Sequence, residues 1–468
     1  MLLFIVPFIT ALVMFLLPRW QALKTIAIAL SCLPLLILIG GGSAWLGAFV
    51  RYPWLPALSI EFHLSIDGIS LLFLYLVAII VPISLLATEN KEFPQAFYGL
   101  ILLLQGLMIG FFTIRDLALF TFFWEAMLIP LYFLISFWGG ANRQLAALKF
   151  LIYMIAGSSL MVAAVLALYL IAGGSTFDFD ALSAMAHVAP SWVGAIFLLA
   201  FAVKTPLFPF HAWLPDAYYE APTTGTILLS ALLSKAGIYG FIRLGLGFFP
   251  SLMQAWSPVL LSLAIIGVFY GGLAAWMQKD YKRLIAYSSF SHVNFILAGL
   301  FVWNQTAHSG AILQAINHGI TITGLFLVAS WLARRIGTTT IDRFSGVAKF
   351  LPHLCWLTLV FVLSSVALPG TNNFVGEFMV LLGVFKLHPW AGALLALTVI
   401  LSVMYMLRWM QLVYFETPNA IFQHWLDIGP KELAIALPLL ILIFWIGIYP
   451  TPFLKLTEPA PARLETPQ

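Results

Sequence analysis

Residues Phe201 to Lys235 read FAVKTPLFPFHAWLPDAYYEAPTTGTILLSALLSK, placing two lysines and a histidine, Lys204, Lys235 and His211, inside otherwise lipid-like sequence. An apolar run from Trp192 leads straight into Lys204. Pro206 and Pro209 each remove a backbone donor and push away the carbonyl four residues earlier, so a helix arriving here must kink or break. At membrane depth such a break is tolerated only where protein or a water-filled cavity satisfies the freed groups, and broken helices mark ion sites in transporters. The stretch therefore reads as part of a hydrated ion path. The plainer alternative is a proline-kinked structural helix with a snorkelling lysine; Lys235, one helix later, weighs against it.

The rest of the composition agrees with a membrane setting. The chain has 468 residues, 62% of them hydrophobic and 9% charged, with mean hydropathy +1.02, whereas soluble domains carry about 25% charged residues. This predicts an all-α polytopic membrane protein. The formal charge of +4 does not point to nucleic acid, because the basic residues sit in short loops between apolar runs, where cytoplasmic loop bias accounts for them. Cys32 and Cys355 lie in apolar runs outside any CxxC pattern, so no iron-sulfur cluster or c-type haem is expected in this chain. The first twenty residues lack a basic leader and an A-x-A site, and read as a membrane helix rather than a cleaved signal.

Apolar runs near the length needed to span a bilayer predict about fourteen helices. The seventh breaks at Pro206, and the twelfth at Leu368-Pro-Gly-Thr-Asn-Asn-Phe374. These breaks suggest two inverted five-helix repeats, residues 95–248 and 249–415, after an N-terminal unit 1–94 and before a C-terminal helix and tail 416–468. Tyr239 with Arg243 resembles Tyr405 with Arg408 one helix after each break. A polar insert carrying Arg51, Glu61 and His63 separates the second and third helices, and Asp67 reads as an N-cap. Lysines and arginines such as Arg19, Lys24, Lys91, Lys282, Arg334 and Lys431 fall on one side if both termini are periplasmic.

Ionisable residues at membrane depth are expensive and mark function. Glu125, midway along the fifth helix in LFTFFWEAMLIPLYF, fits this, as does Lys235, flanked by apolar turns. The alternative for Glu125 is a protonated acid bonded to a carbonyl. His292, His318 and Glu377 are the candidates of the second half; histidine titrates near neutral pH, which suits a relay. Either histidine could instead be a core side chain bonded to a helix carbonyl. Lys149 lies close enough to a basic loop to snorkel, and Asp216 and Glu220 are expected to face the loop after the break. With no metal-ligand spacing and no nucleophile motif, the set favours protons as cargo, with sodium as the other possibility.

At these residues the sequence resembles the antiporter-like subunits of respiratory complex I, the bacterial NADH:quinone oxidoreductase. FFWEAMLIPLY, KTPLFPFHAWLPDAYYEAPTTGTILLSALLSKAGIYG, KDYKRLIAYSSFSHVNF, INHGITITGLF and LPGTNNFVGEF all resemble that family's segments. An acid at Glu377, where the L and N chains resemble a lysine, and NHG in the eleventh helix select the M chains among them. The resemblance implies a proton relay of Glu125, Lys204, Lys235 and Glu377, with His292, His318, Lys149 and His211 as secondary candidates. It also implies membrane partners L, N, K, J, A and H, contact with lipid, and a bacterial inner-membrane location. FMN, iron-sulfur clusters and quinone would belong to other subunits, and none is expected to bind this chain. Subunits of multi-subunit cation/proton antiporters and of membrane-bound hydrogenases share the Glu-and-Lys architecture and form the alternative reading.

Overall fold

The computed structural model describes residues 1–18, 22–88, 93–186, 189–418 and 425–457. Among these, ten helices are long and apolar enough to cross a membrane, and Leu2–Leu16, Ser191–Lys204 and Pro352–Ser365 are shorter apolar helices. Tyr281–Leu300 falls in neither group, because its SSFSHVN segment is too polar to face lipid; it is buried instead. The bundle is built around Gln305–Ile336, which is wholly buried along its apolar window and packs on Tyr281–Leu300, on Asn372–Leu387 and on Gly68–Leu86.

Small residues set the closest of these contacts, as expected where lipid supplies no hydrophobic drive between helices. A Cβ on Gly376 would lie 2.4 Å from Gln314 Oε1, and one on Gly310 would lie 2.6 Å from Met379 Cβ. Only glycine lets Asn372–Leu387 approach Gln305–Ile336 this closely. The approach brings Gln314 against Glu377.

Both expected breaks are present, and protein groups satisfy them. The first separates Ser191–Lys204 from Trp213–Glu220. There Trp213 Nε1 donates to the Val203 carbonyl at 3.1 Å, and Asn294 Nδ2 donates to the Pro206 carbonyl at 3.1 Å. The second separates Pro352–Ser365 from Asn372–Leu387, and its Gly370 has φ +93, a conformation that favours glycine. Across this break Asn317 and Asn372 exchange amide bonds, each side-chain nitrogen donating to the other's carbonyl, at 2.7 and 3.1 Å.

Three local features differ from the sequence expectation. The polar insert is an antiparallel hairpin, β1 Phe49–Leu55 and β2 Ile60–Ser65, with Arg51 opposite His63. His63 Nδ1 lies 2.7 Å from Asp178 Oδ2, tying the hairpin to the linker after Arg143–Ile171. That linker contains the short helix Phe179–Ala186, and Thr451–Thr457 forms another before the tail. Of the residues used to orient the chain, Arg19 and Lys91 lie outside the described residues.

Asp67 does cap Gly68–Leu86, accepting from the Ser70 N–H at 2.8 Å, and it also binds Arg243. Burial alone would raise its pKa, but the Arg243 guanidinium and the Ser70 N–H together hold it at about 2. The resulting stability is present above the ordinary value of 3.8 and is lost as pH falls through about 2. Asp67→Asn should therefore cost roughly 2 kcal/mol at neutral pH. Thermal unfolding of the purified protein checks this: the gap between variant and wild type should narrow as pH falls from about 4 toward about 2.

Candidate functional site

Lys204 closes the first half of the broken helix and is buried. Its Nζ donates to the Trp124 carbonyl at 2.5 Å and stands 3.8 Å from the centre of the Trp124 ring. Glu125, the next residue, is half-buried, and its carboxylate accepts no hydrogen bond from the described residues. The Leu117–Trp138 segment is interrupted at Met127 between its two helical halves, one turn from this contact.

Lys235 is fully buried, at 0% exposure. An ammonium has three donors, and Lys235 Nζ meets three acceptors: the Ser230 carbonyl at 2.7 Å, Ser234 Oγ at 3.2 Å and His318 Nδ1 at 2.7 Å. The turn that carries Ser230 and leads into Ser234 is π-helical over Leu229–Leu233, a distortion that often accompanies function. His318 Nε2 is buried without a partner. The His318 ring centre is 5.8 Å from that of His292. His292 Nδ1 lies 3.1 Å from Glu377 Oε1, which also accepts from Gln314 Nε2 at 3.0 Å. Lys235, His318, His292 and Glu377 thus form one buried row across four helices.

These bonds assign the tautomers. A lysine donating to His318 Nδ1 leaves the His318 proton on Nε2. A carboxylate beside His292 Nδ1 takes the proton there and leaves His292 Nε2 as an acceptor, and that atom also lacks a partner. The row has a donor on one histidine and an acceptor on the next.

A second line of groups leads to Lys235 from the side. Thr226, Ser230 and Ser234 recur every four residues on Thr223–Leu246. Ser230 Oγ donates to the Thr226 carbonyl at 2.8 Å and Ser234 Oγ to the Ser230 carbonyl at 3.0 Å. At its far end Thr226, with Thr223, Thr224, Glu220 and Lys282, lines a cavity of about 750 Å³. The sequence reading passed over these hydroxyls, although their four-residue spacing toward Lys235 was available as a signal.

Other candidates have different surroundings. Lys149 pairs with Asp216 at 2.7 Å and is 35% exposed. His211 packs on Phe290 and Tyr270, with ring centres 4.5 and 4.7 Å away. Glu220, expected to face the loop after the break, is buried, and its Oε2 accepts from the Asn142 N–H at 2.9 Å, holding the loop before Arg143–Ile171. Burial is tolerated there because the carboxylate finds a backbone donor. Tyr239 and Tyr405, paired in the sequence comparison, each hydrogen-bond a serine, Ser70 at 2.9 Å and Ser288 at 3.0 Å. Among the described residues, no group of three His, Cys, Asp or Glu could hold a metal ion.

Two broken helices and a buried row of lysine, histidine and glutamate place the chain among polytopic membrane proteins with ionisable groups in the core of the bundle. The family described as NADH:quinone oxidoreductase/Mrp antiporter, TM matches residues 115–404. NADH-quinone oxidoreductase subunit M of Escherichia coli K12 is 36% identical over 96% of this chain and 92% of its own length. The protein of the same name from Rickettsia typhi is 36% identical over 86% of this chain and 83% of its own. A chain of respiratory complex I from Thermus thermophilus with bound NADH superposes with a TM-score of 0.88 at 33% identity, covering 98% of this chain and 99% of that one. The chain belongs to this family, and it is an antiporter-like membrane subunit of the complex I type.

Proposed function

We propose that this chain is a proton-pumping subunit of NADH:quinone oxidoreductase, carrying protons along the row Lys235, His318, His292 and Glu377 without a redox centre of its own. The observation that carries the reading is the row of buried titratable groups, Lys235 on His318 and His292 on Glu377, with the two histidine rings 5.8 Å apart and the Nε2 of each buried without a partner. Lys235 passes a proton to His318 Nδ1, His318 releases its own from Nε2 toward His292 Nε2, and His292 releases its Nδ1 proton to Glu377. A single bridging water closes the histidine step.

Glu125 and Lys204 act as the coupling pair. A unit charge about 4 Å away is worth up to roughly 4 kcal/mol at an effective dielectric near 20, so movement of Glu125 relative to Lys204 is enough to change the lysine's proton occupancy. Residues 95–248 form the uptake repeat and 249–415 the release repeat, related by inversion. The basic loops face the cytoplasm of a bacterial inner membrane and both termini face out. FMN, iron-sulfur clusters and quinone bind elsewhere in the assembly, whose antiporter-like L and N chains are the nearest partners in type.

The test is NADH-driven proton uptake by vesicles holding the assembled complex with His318→Leu. Uptake per NADH is expected to fall at least about tenfold, a barrier rise of roughly 1.4 kcal/mol, with His211→Leu close to wild type. Equal loss in both would sink the row as the path, and sodium uptake in place of proton uptake would move the chain to the antiporter reading. The cavity beside Thr226 is the proton source, and water bridging the hydroxyls of Thr226, Ser230 and Ser234 carries protons to Lys235, because the backbone carbonyls these hydroxyls bond have no proton to pass on. Ser230→Ala removes the middle hydroxyl without changing the carbonyl that Lys235 uses. It should slow uptake several-fold, on the order of the 0.5–1.5 kcal/mol carried by one hydrogen bond, while assembly is kept; an unchanged rate in stopped-flow acidification would refute the ladder.

A further inference from the structure

A second cavity, of about 880 Å³, lies among helix ends away from the row, lined by Lys24, Arg334 and Lys431 together with Leu86, Trp331 and Ile435. Lys24 begins one span, Leu86 ends another, and Lys431 sits in the first turn of Pro430–Ile448. The cavity is therefore at headgroup depth, on the face that carries the basic loops. Its chemistry is two-sided. Lys24 and Arg334 converge on one helix end, Lys24 Nζ donating to the Thr88 carbonyl at 2.8 Å and Arg334 to that of Ala87, so that their charges act on each other. Glu432 is the acid among the described lining residues, and Arg335 already holds both of its oxygens, at 2.9 and 2.7 Å. The charges of Lys24 and Lys431 are thus not cancelled by that acid. Leu86 and Ile435 give the cavity an apolar wall near the ends of two membrane-spanning helices.

We propose that this cavity binds the headgroup of an anionic phospholipid, its phosphodiester between Lys24 and Lys431 and its acyl chains along Leu86 and Ile435. A basic pocket between spanning helices at the cytoplasmic interface is the arrangement that captures such lipids. A free anion would use the charges and leave the apolar wall unused. A zwitterionic lipid would bring its own cation into a positive site.

The assembled complex, cross-linked with a phosphatidylglycerol that carries a photoactivatable headgroup, tests this. Labelled peptides covering Trp331 or Ile435 are expected. Excess phosphatidylglycerol vesicles should abolish the label, while phosphatidylcholine vesicles and inorganic phosphate should leave it. Lys24→Gln with Lys431→Gln should weaken labelling by about 30-fold, the combined loss of two basic contacts at a membrane surface, and Lys24→Arg with Lys431→Arg should retain it. Displacement by inorganic phosphate would make this a free-anion site, displacement by phosphatidylcholine would remove the charge selectivity, and labelling unchanged in the glutamine variant would remove the lysines; each overturns the proposal. If the glutamine variant does not assemble, the competition arms on the wild-type complex decide.

Discussion

Lys235→Met is expected to reduce NADH-driven proton uptake by roughly 10²-fold or more, the range lost when a positioned acid–base group is removed. Methionine keeps an unbranched stem of similar length, so packing in the fully buried pocket is preserved while the donor is lost. The Ser230 carbonyl and Ser234 Oγ lose a partner, but the larger consequence is at His318, whose Nδ1 lies 2.7 Å from the lysine and would have no proton to receive. Lys149→Met gives the comparison. That lysine is 35% exposed and paired with Asp216, a surface ion pair worth about 0–1 kcal/mol, so its loss should alter uptake only a few-fold. Proton uptake per NADH, normalised to assembled complex, measures both. Equal loss in the two variants would show that burial does not track role.

Glu377→Gln is the second large effect, expected to fall in the same range of roughly 10²-fold. Glutamine can still accept at one oxygen, so the bond to Gln314 Nε2, 3.0 Å in the wild type, survives. It cannot take and release a proton, and the His292 Nδ1 proton then has nowhere to go. Glu377→Asp should retain more activity than Gln, because aspartate keeps a titratable oxygen one methylene short and a water can bridge the difference. The order of the two variants separates proton carriage from hydrogen bonding. Equal pumping by both at matched assembly would make Glu377 structural and put release elsewhere, with His318 the next candidate.

Hydrophobicity and proline act locally, and what depends on them could be read from the chain. The run of apolar segments required a helical membrane protein, because an unsatisfied backbone in lipid costs too much for any open structure. Pro206 and the Pro369-Gly370 pair fall inside the two helix breaks, which run between Lys204 and Trp213 and between Ser365 and Asn372, since a missing donor disrupts the ladder wherever the chain later packs. The cost of burying charge singled out Glu125, Lys204, Lys235 and Glu377 before any contact was known.

Contacts between helices were a different matter. Lys235 and His318 are 83 residues apart and His292 and Glu377 are 85 apart, and nothing in the spacing says that the helices present these side chains to one another. That depends on how each helix is rotated and how closely it approaches, which Gly310 and Gly376 control by letting two backbones nearly touch. The same reason hid the partner of Lys149, the buried carboxylate of Glu220 and the pairing of the hairpin with Asp178. Each is an interaction whose energy exists only once distant segments have met. The sequence determined which groups would be costly to bury in the membrane; the tertiary structure decided which of them meet, because the distances and orientations that permit hydrogen bonding are set between helices rather than along one.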